Sequence, residues 1–184
     1  MKPRTTAILF IDCQLAFDDP YWGPRNNPRA EANLAALAAA FRDQGLEVVH
    51  VAHDSRDPDS PLFPGEPGHA FKPEAAPLPG EATFHKSVHC AFVGTGLEAH
   101  LRAQGIDRLV IAGFTTNHCV STTARLSCDL GFKTVVVRDA CATFDLEGLD
   151  GVPIPAQLLH DTALAELHGE FAVVLSTEAI LQLF

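Results

Sequence analysis

Asp12, Lys86 and Cys119 are the residues whose types and places could do chemistry together. Asp12 closes the apolar run 6–11, Lys86 closes the run 83–86, and Cys119 lies in the turn after the run 108–112. A carboxylate, an ammonium and a thiol brought to one edge would form a nucleophile with its base and its electrostatic tuner. The thiolate is the reactive form of cysteine, and a neighbouring cation or a helix N-terminus lowers its pKa. Cys119 is expected to have both, from Lys86 and from the first turn of a helix beginning at Asn117. Each residue alone has a plainer reading, Asp12 as a turn cap and Cys119 as an inert core thiol. Their joint occurrence at three strand ends is what points to chemistry.

Those ends belong to an alternation of strand-like and helix-like segments. Residues 6–11, 47–53, 83–86, 108–112, 133–137 and 171–175 are short runs rich in Val, Ile, Leu and Phe, and helical spacing occupies 30–42, 117–130, 157–167 and 177–183. Thr95 with Glu98 three positions later reads as a capping box opening a further helix, which Gly105 closes. Residues 54–80 are rich in Pro, Gly, Ser and Asp and lose all periodicity, so they form a long loop, and loops of that length are usually functional. Continuous apolar strands are those buried on both faces. The expected architecture is therefore a three-layer α/β/α, Rossmann-like fold around a mostly parallel six-stranded sheet. Ligands of such sheets bind at the carboxyl ends of the strands. The first strand runs into Asp-Cys-Gln rather than a glycine-rich phosphate turn, which argues against a dinucleotide site.

Composition narrows the partners. The 184 residues fit one domain spanning 1–184, and 13 Lys and Arg against 23 Asp and Glu leave a net charge of −10. Such a surface repels phosphate backbones and anionic lipid, so nucleic acid and membrane surfaces are poor partners and a small molecule is the expected one. No apolar run approaches the ~20 residues of a bilayer span. Lys2 and Arg4 precede an apolar stretch that Asp12 breaks, unlike a secretory signal. Five cysteines without a closely spaced framework point to reduced thiols and a cytoplasmic location.

The run GFTTNHCVSTTARLSCDLGFKTVVVRDACAT, from Gly113 to Thr143, resembles the signature of the isochorismatase-like cysteine hydrolases, which include nicotinamidases and carbamoylsarcosine amidases. The resemblance extends to IDCQLAF (11–17), AFVGTGLEAHLRAQGI (91–106) and LAELHGEFAVV, and so covers nearly the whole chain. It implies a catalytic triad of Asp12, Lys86 and Cys119. It also implies a cis peptide between Phe114 and Thr115 that aims the backbone amides of Thr115 and Cys119 at an oxyanion. Gln14 and Phe17 match positions that border the substrate, with Trp22, Phe92 and His118 as further walls. Each of these five can equally be read as core packing or capping. Acting as base and then as acid, Asp12 is expected to be at least partly buried.

Metal-dependent relatives carry an Asp-x-His pair after the second strand, where this chain has His53-Asp54-Ser55. No histidine spacing matches a zinc motif, and His50 and His53 point to opposite faces of their strand, so no metal or other cofactor is expected. The resemblance favours hydrolysis of a small amide, carbamoyl or ureide bond. Vinyl-ether hydrolysis of the isochorismatase type and a catalytically silent binding protein of the same fold are the alternatives. Family resemblance and apolar ends such as Leu181, Leu183 and Phe184 also imply a homo-oligomer, a dimer or tetramer, with part of its interface in 144–155.

Overall fold

The computed structural model describes residues 5–184, so Lys2 and Arg4 lie outside the described residues. The central sheet holds six strands: β1 (Thr6–Ile11), β2 (Glu47–His53), β3 (Ala82–Lys86), β4 (Arg108–Phe114), β5 (Lys133–Ala142) and β8 (Val173–Leu175). Their order is β3-β2-β1-β4-β5-β8, and every pairing is parallel. A separate two-stranded hairpin, β6 (Leu146–Glu147) with β7 (Pro153–Ile154), follows β5. The helices are α1 (Ala30–Asp43), α2 (Leu97–Ala103), α3 (Ser121–Asp129), α4 (Ala156–Leu167) and α5 (Thr177–Leu181). Among the described residues, no helix is long and apolar enough to cross a membrane.

Alternation along β1 shows how the layers are cemented. Ala7, Leu9 and Ile11 enter a core shared with Leu97 and Leu101 of α2, Ala124 of α3, and Leu164 and Leu167 of α4. Ile8 and Phe10 face the other way, onto Leu34, Leu37, Ala38 and Phe41 of α1 and Ile180 of α5. Both faces of the strand are dry, which is why it reads as an unbroken apolar run.

Of the boundaries that differ from the sequence reading, two show their physical reasons plainly. α2 starts at Leu97 with Gly96 as its cap and no capping box: the Thr95 hydroxyl accepts from Leu97 N–H, while Glu98 reaches Arg102 instead. β5 runs past Val137 to Ala142 because its register against β4 jumps from Ile111↔Val136 to Gly113↔Cys141. Side-chain amides satisfy the resulting bulge, Asn27 Nδ2 donating to the carbonyls of Arg138 and Cys141, and Asn33 Nδ2 to that of Asp139. A bulge beside a site is a common way of re-aiming the chain.

Candidate active site

The strand order reverses between β1 and its two neighbours, β2 and β4, and that switch point is where an α/β sheet opens a crevice. Asp12 leaves β1 in the left-handed region, with φ of 51°, and its N–H is held by the carbonyl of Val51. On β4 the partner of Ile11 is Gly113, where a Cβ would stand 2.0 Å from the Ile11 carbonyl oxygen. Only glycine lets the two strand ends approach that closely. The Phe114–Thr115 peptide that follows is cis, and a π-helical turn, Thr116–Val120, carries Cys119 into α3. Such turns inside helices are frequent at functional sites.

Lys86 arrives from β3, directly across from His53 on β2. Its side chain is fully buried, and each of its three protons has an acceptor. Lys86 Nζ donates to Asp12 Oδ2 at 2.7 Å, to His53 Nδ1 at 3.0 Å and to Cys119 Sγ at 3.4 Å. Asp12 Oδ1 is buried and has no hydrogen-bond partner among the described residues. One carboxylate oxygen is therefore fixed by the ammonium and the other is free to accept a proton.

The electrostatics of the thiol differ from the sequence expectation. Burial pushes the Cys119 thiol well above its ordinary range, the Asp12 carboxylate pushes the same way, and the pull of Lys86 is smaller than these together. The resting group is a thiol, so it needs a base at the moment of attack, and Asp12 is the base beside it.

A cavity of about 390 Å³ opens over these atoms, lined by Asp12, His53, Thr115 and Cys119, with Phe17, Trp22 and Phe144 among its walls. Phe17 packs at 5.3 Å against both Trp22 and Phe114, the residue ahead of the cis bond. His118 also lines the cavity, with Nδ1 at 3.2 Å from Thr115 Oγ1. Phe17, Trp22 and His118 thus line the cavity. Gln14 and Phe92 do not. Gln14 is fully buried, its Oε1 accepting from His53 N–H and its Nε2 donating to the carbonyls of His53 and His69. Phe92 turns into the core and stacks on Phe132 at 5.9 Å.

Sequence reasoning missed His53, Tyr21, Leu62, His89 and the wall from Thr143 to Leu146. His53 had one available signal: as the last residue of its strand it lies level with Lys86. Asp12, His53 and Cys119 bring ligating atoms within 4.8 Å of one another, and the cation at their centre is the Lys86 ammonium. Asp54, the residue after His53, spends Oδ1 on hydrogen bonds with both His69 and His85.

Comparison with known proteins agrees with this architecture. Residues 6–179 match the model of the Isochorismatase domain. A solved hydrolase of the isochorismatase family from Chromobacterium violaceum superposes with a TM-score of 0.93 at 45% identity, covering 98% of this chain and 93% of that one. The isochorismatase family protein YrdC of Bacillus subtilis is 39% identical over 178 residues, 97% of this chain and 95% of its own. Maleamate amidohydrolase of Pseudomonas putida is 32% identical over 153 residues, 74% of this chain and 71% of its own. With the domain match covering nearly its full length, the chain belongs to the isochorismatase family of hydrolases.

Proposed function

We propose that the chain hydrolyses a small non-peptide C–N bond, in an amide, carbamoyl or ureide group, through a thioester on Cys119. The observation that carries this reading is the division of Asp12, one oxygen tied to Lys86 and the other buried, unpartnered and beside a protonated thiol. Asp12 Oδ1 takes the proton of Cys119 as Sγ attacks the carbonyl carbon. The backbone amides of Thr115 and Cys119 donate to the oxyanion, and each such donor is worth about 2.7–4 kcal/mol of barrier. Asp12 then returns the proton to the leaving nitrogen as the C–N bond breaks and the thioester remains. Water, deprotonated by Asp12, attacks that thioester and releases the acid and the free thiol. The amidohydrolase among the relatives supports the same bond class.

The cavity suits a small substrate, apolar along Phe17, Trp22 and Phe144 and polar at its floor. The test is ammonia release across small amides, carbamoyl compounds and ureides, run beside Cys119→Ala. Turnover by the parent and none by the alanine variant is the expected result. Equal turnover by the two would exclude covalent catalysis at Cys119, and cleavage of a vinyl ether without any C–N substrate would replace the reading.

A further inference from the structure

The third proton of Lys86 goes to a residue that the triad does not include. His53 Nδ1 accepts it at 3.0 Å, so Nδ1 carries no proton of its own and the ring is the neutral Nε2–H tautomer. The ring does not hold this pose by chance. His53 ends β2 in register with Lys86, and the Gln14 side chain clamps its backbone from both sides, through Oε1 to its N–H at 2.8 Å and through Nε2 to its carbonyl at 3.2 Å. Gln14 is itself buried two residues after Asp12, so the clamp and the carboxylate are carried by one turn. A ring nitrogen of His53 lies within 4.8 Å of both the Asp12 carboxylate and Cys119 Sγ.

We infer that His53 is a positioning residue of the hydrolytic site, acting through Lys86: its Nδ1 takes the third ammonium proton and thereby fixes the other two on Asp12 and Cys119. This deepens the proposed C–N hydrolysis and rests on it for the role of Cys119. An ammonium with only two acceptors would rotate among them, and Asp12 Oδ1 would lose its status as the one unengaged base.

Protonating His53 would turn the accepting nitrogen into a donor facing a cation. The groups that face the ring are Lys86 from β3, Asp12 from the turn after β1, Asp54 beside it, His89 from the loop after β3, and Cys119 from the π-helical turn. Burial and then Lys86 hold the imidazole below its ordinary 6.5, with Asp12 opposing them. The arrangement is therefore intact at neutral pH and is lost in acid.

The experiment is the rate of Cys119 alkylation by iodoacetamide as a function of pH, read site by site by mass spectrometry because the chain has five cysteines. The parent is expected to show an inflection below pH 6.5. His53→Asn places an amide oxygen where Nδ1 stood but cannot titrate. It should keep the neutral-pH rate within about threefold of the parent and lose the inflection. His53→Leu removes the acceptor and should slow alkylation by about tenfold or more, as expected for a lost hydrogen bond to a charged donor. An inflection that persists in His53→Asn, or a His53→Leu variant that reacts as the parent does at every pH, overturns the assignment. If His53→Leu does not fold, the asparagine profile decides alone. The readout needs no substrate, so failure of every amide in the ammonia screen would sink the proposed reaction and leave this result standing.

Discussion

Replacing Lys86 with Met keeps the length of the side chain and removes its charge, which isolates what the ammonium does. The side chains of Lys86 and Asp12 are both essentially sealed from solvent, and the pair sits at 2.7 Å. Removing one partner of such a pair leaves a buried charge uncompensated, at a cost of about 3–5 kcal/mol. The variant has an escape, since the buried carboxylate can bind a proton. That caps the loss at neutral pH near the cost of protonating an ordinary aspartate, about 4 kcal/mol. For a chain of this size each kcal/mol lowers the melting temperature by about 2–4 °C, so a fall of roughly 6–16 °C is expected. Having taken up a proton that the unfolded chain does not hold at neutral pH, the folded variant should regain stability relative to the parent as pH falls toward the carboxylate range. Urea unfolding followed by circular dichroism, at neutral pH and again near pH 5, measures both effects. The double variant Asp12→Asn/Lys86→Met should lose less than the two single changes added together. A single variant as stable as the parent at neutral pH would refute the buried pair as an energetic unit.

Cys119 in the same Lys86→Met variant should alkylate more slowly than in the parent at neutral pH, because an Asp12 that has bound a proton can no longer take the one on the thiol; an unchanged alkylation rate would remove Lys86 from its supporting role. Turnover should survive exhaustive chelation, since the position among Asp12, His53 and Cys119 belongs to the ammonium; loss of activity with recovery on added zinc would contradict this. Light scattering at micromolar concentration should give a homo-oligomer with an interface of at least ~1,000 Å². Leu149 at the tip of the β6–β7 hairpin is fully exposed, and Leu149→Asp should weaken association; a single-chain mass that holds on concentration would count against the oligomer.

β1, β2 and β4 were legible because they are buried on both faces, which β1 shows as an unbroken apolar run from Thr6 to Ile11. The same logic located Asp12, Lys86 and Cys119, whose polarity at strand ends needs a reason. The far half of β5 was not legible, because Arg138 and Asp139 interrupt the run and their backbone is satisfied by asparagines more than a hundred residues away. Gln14 and Phe92 were misplaced for a related cause: proximity in sequence to Asp12 or Lys86 does not say which way a side chain turns. Gln14 turned inward to serve two carbonyls, and Phe92 found an aromatic partner in Phe132. The thiol's pKa depended on the depth of burial, which a list of neighbouring charges does not contain.

Trp22 is the only tryptophan of the chain and Tyr21 the only tyrosine, and both line the cavity. Their rings meet edge to face at 5.0 Å, and Trp22 also lies 5.8 Å from Phe144 on the adjoining wall. The ultraviolet emission of the whole protein therefore originates at the rim of one pocket, with no second indole to dilute it. A molecule entering that pocket changes the surroundings of every fluorophore at once. In a Cys119→Ala protein, where bound compounds are expected to persist, this turns an unlabelled chain into an optical sensor of its own ligands. Compounds can then be ranked by affinity before any reaction product is known.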